Sequence, residues 1–393
     1  MSALSREIAI GVTTQQLISS LLQLKDQKAD LAFACWRNPG EAHTSILISD
    51  KVREQFAVLE SLKSGFIIKG FDQDATSQYL QATVLIKLVD DKPHIDIVED
   101  TALLQSILNL AAEMNEQPAA TSVHSTHENH DHDYLKLVKA SVEHIRAGKF
   151  EKVVPSRTEK FSVSNFNAAH LFGKLCNSYP NAFISATYTP ATGFWMGATP
   201  ELLIKTSGDI FKTVALAGTQ QYNAASSLSE VAWTQKEIEE QALVSRYIIN
   251  CFKQIRLREF EEHGPKTVKA GNLIHLKTDF EVNMAATNFP ELGSTMLNLL
   301  HPTSAVCGMP LDATYRFLND NEHYQRELFS GYLGPVNIEN TTAMYVNLRC
   351  MKIINQHTLQ LYAGAGVTED SIAEKELAET KHKMATLLSV IES

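Results

Sequence analysis

Four strand-like runs follow one another within residues 152–219: KVVPSRTEKFSV, AFISATYT, GFWMGATPELLIKTSG and DIFKTVALAGT. A long helical stretch over residues 229–256 comes next. It is followed by the strand HLKTDFEV, two more helical stretches, a hairpin (TAMYVNLRCMKII with TLQLYAGAG) and a terminal helix. Strands and helices in blocks, without regular βαβ alternation, predict an α+β fold with antiparallel sheets. Upstream, YLKLVKASVEHIRAG has helical spacing and ends at Gly148, while ADLAFACW and TSILISD read as strands of an N-terminal portion. Between them, residues 117–133 (QPAATSVHSTHENHDHD) are polar and poor in aliphatics, the composition of a linker. The predicted organisation is therefore an N-terminal portion (1–116), a His-rich linker (117–133) and a C-terminal region (134–393) that carries the chemistry. His124, His127, His130 and His132 of the linker read as solvated rather than metal-binding.

The formal net charge of −10 argues against nucleic acid or an anionic membrane as main partner. No apolar run approaches the ~20 residues a membrane span needs. The N-terminus lacks a basic segment followed by an apolar one, so no secretory signal is read. Five cysteines, scattered and without CxxC spacing, suit a reducing cytosol. These features predict a cytoplasmic protein acting on a small molecule.

Two helices carry carboxylates where an inward face is expected. Glu237, Glu240, Val244, Tyr247 and Cys251 form one stripe, and Ile372, Glu376, Glu379, Lys383 and Leu387 form another. Buried unpaired charge is expensive, so the stripes are either solvated faces or parts of one site holding a hard cation such as Mg²⁺. Gly364, Ala365 and Gly366 are expected to lead straight into the terminal helix, where their backbone N–H groups would cradle an anion. Arg349 is placed on the polar face of a strand beside Tyr345 and Asn347, suited to gripping a carboxylate. Lys152 and Glu201, the latter expected within a hairpin, form an acid–base pair only if burial shifts them towards neutrality. His275, between apolar neighbours, reads as a hydrogen-bonded core residue or a ligand contact. The segment LLHPTSAVCGMP is a loop that can approach a ligand closely.

In order along the chain, KVVPSR, GATPELL, LAGT, KEIEEQ, HLKTDFE, HPTSAVCGMP, RELFSGYLG, NLRC, YAGAGV and EKELAETKHK resemble the chorismate-utilising enzymes. That family contains isochorismate, salicylate, anthranilate and aminodeoxychorismate synthases. The resemblance covers residues 134–393 and implies two similar halves whose antiparallel sheets pack together with helices outside. It implies that Glu240 and Glu376 hold Mg²⁺, with Glu237 and Glu379 in support, and that the metal binds the ring carboxylate of chorismate. Arg349, Gly364 and Gly366 would hold the enolpyruvyl carboxylate, and Gly218, Thr219, His275 and Lys383 match further substrate-contacting positions.

The same resemblance narrows the reaction. A lysine at the position of Lys152 is the base in members that add water, and Glu201 is the acid that protonates the departing hydroxyl. Lyase members tend to carry Thr at the position of Ala305, so Ala305 favours an isochorismate synthase over a salicylate synthase. Anthranilate and aminodeoxychorismate synthases, the aminating alternatives, usually lack Lys152, and the latter often carry a lysine where this chain has Ala217. No obligatory glutaminase partner is therefore expected. Chain length resembles isochorismate synthases feeding catechol siderophores through 2,3-dihydroxybenzoate, with menaquinone supply the alternative. The chain departs from the family at Gln241, where histidine is usual, at Glu237, where aspartate is usual, and at Pro155, which removes one ladder N–H.

Overall fold

The computed structural model describes residues 6–7, 11–54, 58–90, 92–114, 121–125, 131–222, 227–270 and 273–393. Within them the strands form an eleven-stranded sheet, a nine-stranded sheet and a two-stranded ribbon, and every described pairing between strands is antiparallel. The centre of the larger sheet runs Ala32–Arg37, Phe183–Thr189, Gly193–Thr199, Cys350–Asn355, Thr358–Gly364, Ser156–Ser164. In the smaller sheet the order is Glu261–Ala270, Leu273–Asn283, Ile210–Gln221, Leu202–Ser207, Thr341–Val346, Tyr332–Val336, Gly65–Lys69, followed by two short strands. The N-terminal residues thus supply strands to both sheets.

The period-two alternation of a strand explains why both faces are apolar. Ala32, Ala34 and Trp36 point between the sheets, where they meet Phe66, Leu80, Phe183, Trp195 and Tyr345. Phe33 and Cys35, one residue out of phase, pack beneath the outer helices with Leu17, Leu104, Phe172 and Leu387. Helices Gln235–Gln254 and Leu292–Leu300 cover the smaller sheet in the same way through Val244, Phe252 and Met296. Phe183 of one sheet stacks on Tyr345 of the other at 4.1 Å and 8°, a contact that adds to simple area burial. The α+β architecture of packed antiparallel sheets with helices outside is the predicted one.

Several local expectations are corrected. The run GATPELLIK is no hairpin: Gly193–Thr199 lies in the larger sheet and Leu202–Ser207 in the smaller, so the chain crosses between sheets at Pro200 and Glu201. TAMYVNLRCMKII is likewise two strands, Thr341–Val346 and Cys350–Asn355, in different sheets. Arg349 sits in the bend between them with φ +47°, a left-handed conformation uncommon for a side-chain-bearing residue. Tyr345 and Asn347, expected beside it on a polar face, are instead buried. Inside the stretch read as linker, Ser122–Ser125 pairs with Ser156–Ser164, and helix Asp131–Arg146 begins; His127 and His130 lie outside the described residues. Helix Gln235–Gln254 starts later than expected, at an N-terminal capping box formed by Thr234 and Glu237. Helix Ala168–Ser178, capped by Asn167, and strand Glu261–Ala270 had no counterpart in the sequence reading; Asn before an apolar-periodic run was the available signal for that helix.

Candidate active site

The two crossings between sheets lie side by side. Val346 N–H donates to the Glu201 carbonyl at 2.9 Å, and Ala198 N–H donates to the Arg349 carbonyl at 3.0 Å. A strand that leaves its sheet exposes the residues at the crossing, and here both project onto one cavity of about 240 Å³. Of the residues singled out in the sequence, Glu201, Gly218, Glu237, Glu240, His275, Ala305, Arg349, Gly364, Gly366, Glu379 and Lys383 line it. Thr219 follows Gly218 in the chain, but its side chain is outside the described residues.

Lys152 begins the ribbon strand Lys152–Val153, paired with Gly308–Met309. Its side chain is buried and its Nζ donates to Glu240 Oε1 at 2.9 Å. That pairing is obligatory in physical terms, because an isolated buried ammonium costs several kcal/mol. Burial pushes the Glu240 carboxyl up, but Lys152 by charge and hydrogen bond, with Lys383 and Lys236, pulls it below the usual carboxylate range. The net direction is down, so Glu240 is ionised.

Glu201 goes the other way. Burial raises its carboxyl from 4.5 to about 7, against the opposing pull of Lys152 and Lys383. Two carboxyls facing one cavity are thereby set apart, one ionised and one able to carry a proton near neutrality. His275 is buried, its Nδ1 lies 3.1 Å from the Gly218 carbonyl, and burial with the nearby Arg349 charge lowers it to about 4. It is neutral at physiological pH. Gly218 adopts φ +67° at a bulge in Ile210–Gln221, which is what turns its carbonyl towards His275.

The Gly-Ala-Gly segment does not lead into a helix end. Ser156 pairs with Gly364, and Ala365 and Val367 N–H donate to Pro155 and Val153, so these residues continue a strand pairing. The helix starts only at Ala373. Ile372, expected on the inward stripe, is its exposed N-cap. What Gly366 supplies is room: a Cβ there would lie 3.0 Å from Lys152 Cε and 3.2 Å from Glu240 Oε1. Gly364 instead presents its carbonyl to Lys383 Nζ at 2.8 Å.

The other three candidate carboxylates are also engaged. Glu376 is buried and accepts from Lys236 Nζ at 3.2 Å, Glu379 pairs with Lys383 at 2.7 Å, and Glu237 accepts from Gln220 Nε2 at 2.9 Å. Among the described residues no three His, Cys, Asp or Glu side chains gather closely enough to form a metal cage. Gln241 turns away from the cavity and donates to the Ala215 carbonyl and Thr278 Oγ1, so it shapes the helix–sheet contact. Lys236, Arg326, Ser330 and Tyr362 also line the cavity. They stand within KEIEEQ, RELFSGYLG and YAGAGV, but the sequence reading assigned none of them a site role, because their neighbours in space come from remote segments.

The family model described as chorismate binding enzyme matches residues 68–392. Isochorismate synthase EntC of Escherichia coli (strain K12) is 30% identical over 203 residues, 50% of this chain and 51% of that protein, so the match spans about half of that relative's length. Isochorismate synthase DhbC of Bacillus subtilis (strain 168) is 29% identical over 293 residues, 70% of this chain and 72% of that protein. Among solved structures, MenF, the menaquinone-specific isochorismate synthase from Escherichia coli, superposes with a TM-score of 0.74 at 19% identity, covering 92% of this chain and 89% of that one. That last likeness speaks to the fold.

Proposed function

This chain belongs to the chorismate-binding enzyme family, and on that footing we propose that it is an isochorismate synthase. Water adds to C2 of chorismate and the C4 hydroxyl leaves as water, so the ring is isomerised without change of composition. Lys152 in its neutral amine form, reached when it gives up the proton it shares with Glu240, takes the proton from the attacking water, and Glu201 gives one to the departing oxygen. The observation that carries this reading is the split between Glu201, held near 7, and the ionised Glu240 that pairs with Lys152. Hydroxide is a poor leaving group, so an acid that retains its proton near neutrality is the part such chemistry needs. Arg349 and the backbone at Gly364 and Gly366 hold the enolpyruvyl carboxylate. Water as nucleophile requires no glutaminase. Among the described residues no helix is long and apolar enough to cross a membrane, in keeping with a cytoplasmic enzyme. Supply of a catechol siderophore through 2,3-dihydroxybenzoate is the pathway we favour over menaquinone.

The donor set fits Mg²⁺. Glu237, Glu240 and Glu379 line one cavity from two helices, with Glu376 buried behind the lining residue Lys236, and Mg²⁺ takes one or two carboxylates with waters and ligand oxygens rather than a closed protein cage. Glu240 and Glu376 would hold it, with Glu237 and Glu379 in support, and its charge would neutralise the ring carboxylate of chorismate. Chorismate incubated with the protein and Mg²⁺ is expected to give isochorismate without pyruvate, and EDTA is expected to stop turnover. Pyruvate released at a matching rate would move the assignment to salicylate synthase; an aminated ring from ammonia would move it to an aminating synthase.

The pH dependence follows from Glu201. Between 4.5 and about 7 the folded chain keeps a proton that the unfolded chain has lost, so ionisation on raising pH costs stability. The acid role is lost in the same direction. The turnover rate is expected to fall as pH rises through about 7, and Glu201→Gln should abolish that limb together with most activity. A rate profile flat from pH 6 to 9, roughly two decades of protonation, would exclude Glu201 as the acid.

A further inference from the structure

One buried ion pair ties together the segments that carry Lys152 and Ala305. Glu322 and Arg326 lie just past helix Leu311–Asn321, their side chains 4% and 3% exposed. Arg326 Nε and Nη2 donate to the two Glu322 oxygens at 2.7 and 2.6 Å. Its Nη1 donates to the Val306 carbonyl at 2.8 Å, and Nη2 donates also to the Val154 carbonyl at 2.7 Å. Four of the five N–H bonds of the guanidinium are thus spent inside the protein, and the Phe71 ring lies 4.2 Å from the guanidinium carbon. Glu322 Oε1 accepts in addition from Ser156 N and Oγ at 2.8 and 2.9 Å.

Those anchor points bracket the ribbon. Val154 is two residues from Lys152, Val306 adjoins Ala305, and Val154 N–H donates to the Cys307 carbonyl at 2.9 Å. Ser156 sits opposite Gly364 in the larger sheet. A buried ion pair seldom repays its desolvation as stability, since apolar side chains of similar volume do as well. A planar fork with fixed donor directions supplies geometry that apolar packing cannot.

We infer that the Glu322–Arg326 pair is a positioning device for Lys152, setting the ribbon so that the amine meets Glu240 at the cavity wall. The pair acts through the two carbonyls it holds. This rests on the isochorismate synthase reading, and its test separates the two.

The comparison is of Arg326→Lys with Arg37→Lys. Arg37 is also buried and donates to the Tyr179, Pro180 and Ala182 carbonyls at 2.5, 2.6 and 3.0 Å, but it lies outside the cavity lining. Lysine keeps the charge and loses the fork at both places. For Arg326→Lys, kcat with chorismate should fall about 10²-fold, the scale of a displaced reacting group. Its KM should stay within about threefold, because carboxylate binding is untouched. Arg37→Lys should lower the melting temperature and leave kcat unchanged. If Arg326→Lys does not fold, Glu322→Gln decides, with kcat expected to drop about tenfold. Wild type inactive on chorismate would overturn the functional reading and this role together. An active wild type with kcat unchanged in the folded Arg326 or Glu322 variant, or with KM alone altered, would overturn the role by itself.

Discussion

Replacing Lys152 with Ala is expected to cut turnover of chorismate by roughly 10²–10⁴-fold, the range that one positioned proton-transfer group contributes. The loss should appear in kcat more than in KM, because carboxylate binding is assigned to Arg349 and the glycine backbone. Lys152 is 1% exposed, so part of any effect could be packing. Lys152→Met keeps most of the volume and removes the amine, and it should be as inactive as the alanine variant while melting at a higher temperature. Glu240 loses its counter-charge in both variants, and its carboxyl should then titrate higher than in the wild type, because Lys152 is the first of the charges that hold it down. Near-normal turnover in either variant would remove Lys152 from the chemistry.

Glu240→Gln is expected to have the second large effect. Glutamine keeps an oxygen for Lys152 but removes the negative charge from a position that faces both the amine and the proposed cation. Activity should fall by more than about 10²-fold, beyond the 10–100-fold typical of groups that only support a metal ligand. The residual rate should no longer respond to added Mg²⁺, which a titration of rate against metal concentration reads directly. Glu379→Gln is the internal comparison. Glu379 pairs with Lys383 at 2.7 Å, and its loss should cost less while leaving a Mg²⁺ response, shifted to higher concentration. Equal losses in the two variants would sink the division between holding and supporting carboxylates.

Much of the site was legible because its chemistry is written in short strings. The carboxylates Glu237 and Glu240 announce themselves as charge continuing an apolar stripe, and Val244 and Cys251 on that stripe are indeed buried. The sheets were legible as strand-like runs for the same local reason. Arg349 and Glu201 were identified but misplaced: each was read into a continuous strand or hairpin, whereas each marks a crossing between sheets. Alternation of side chains looks the same whether a run stays in one sheet or changes sheets at a bend. Nothing local distinguishes the two. Arg326 opens the string RELFSGYLG, but its role was not legible there, since its partners at Val154 and Val306 come from 172 and 20 residues away.

The order of strand and helix blocks, the carboxylates spaced along two helices and the lysine at the head of KVVPSR are properties of neighbouring residues, and the chain alone determined them. Periodicities of two and 3.6 act over a few positions, which is why they can be read without coordinates. The tertiary structure decided which charges meet: Lys152 finds Glu240 across 88 residues, Glu376 finds Lys236 across 140, and Glu201 is pushed towards neutrality by burial at a crossing. Desolvation and charge pairing depend on what surrounds a group in space, and they are set only when distant segments pack.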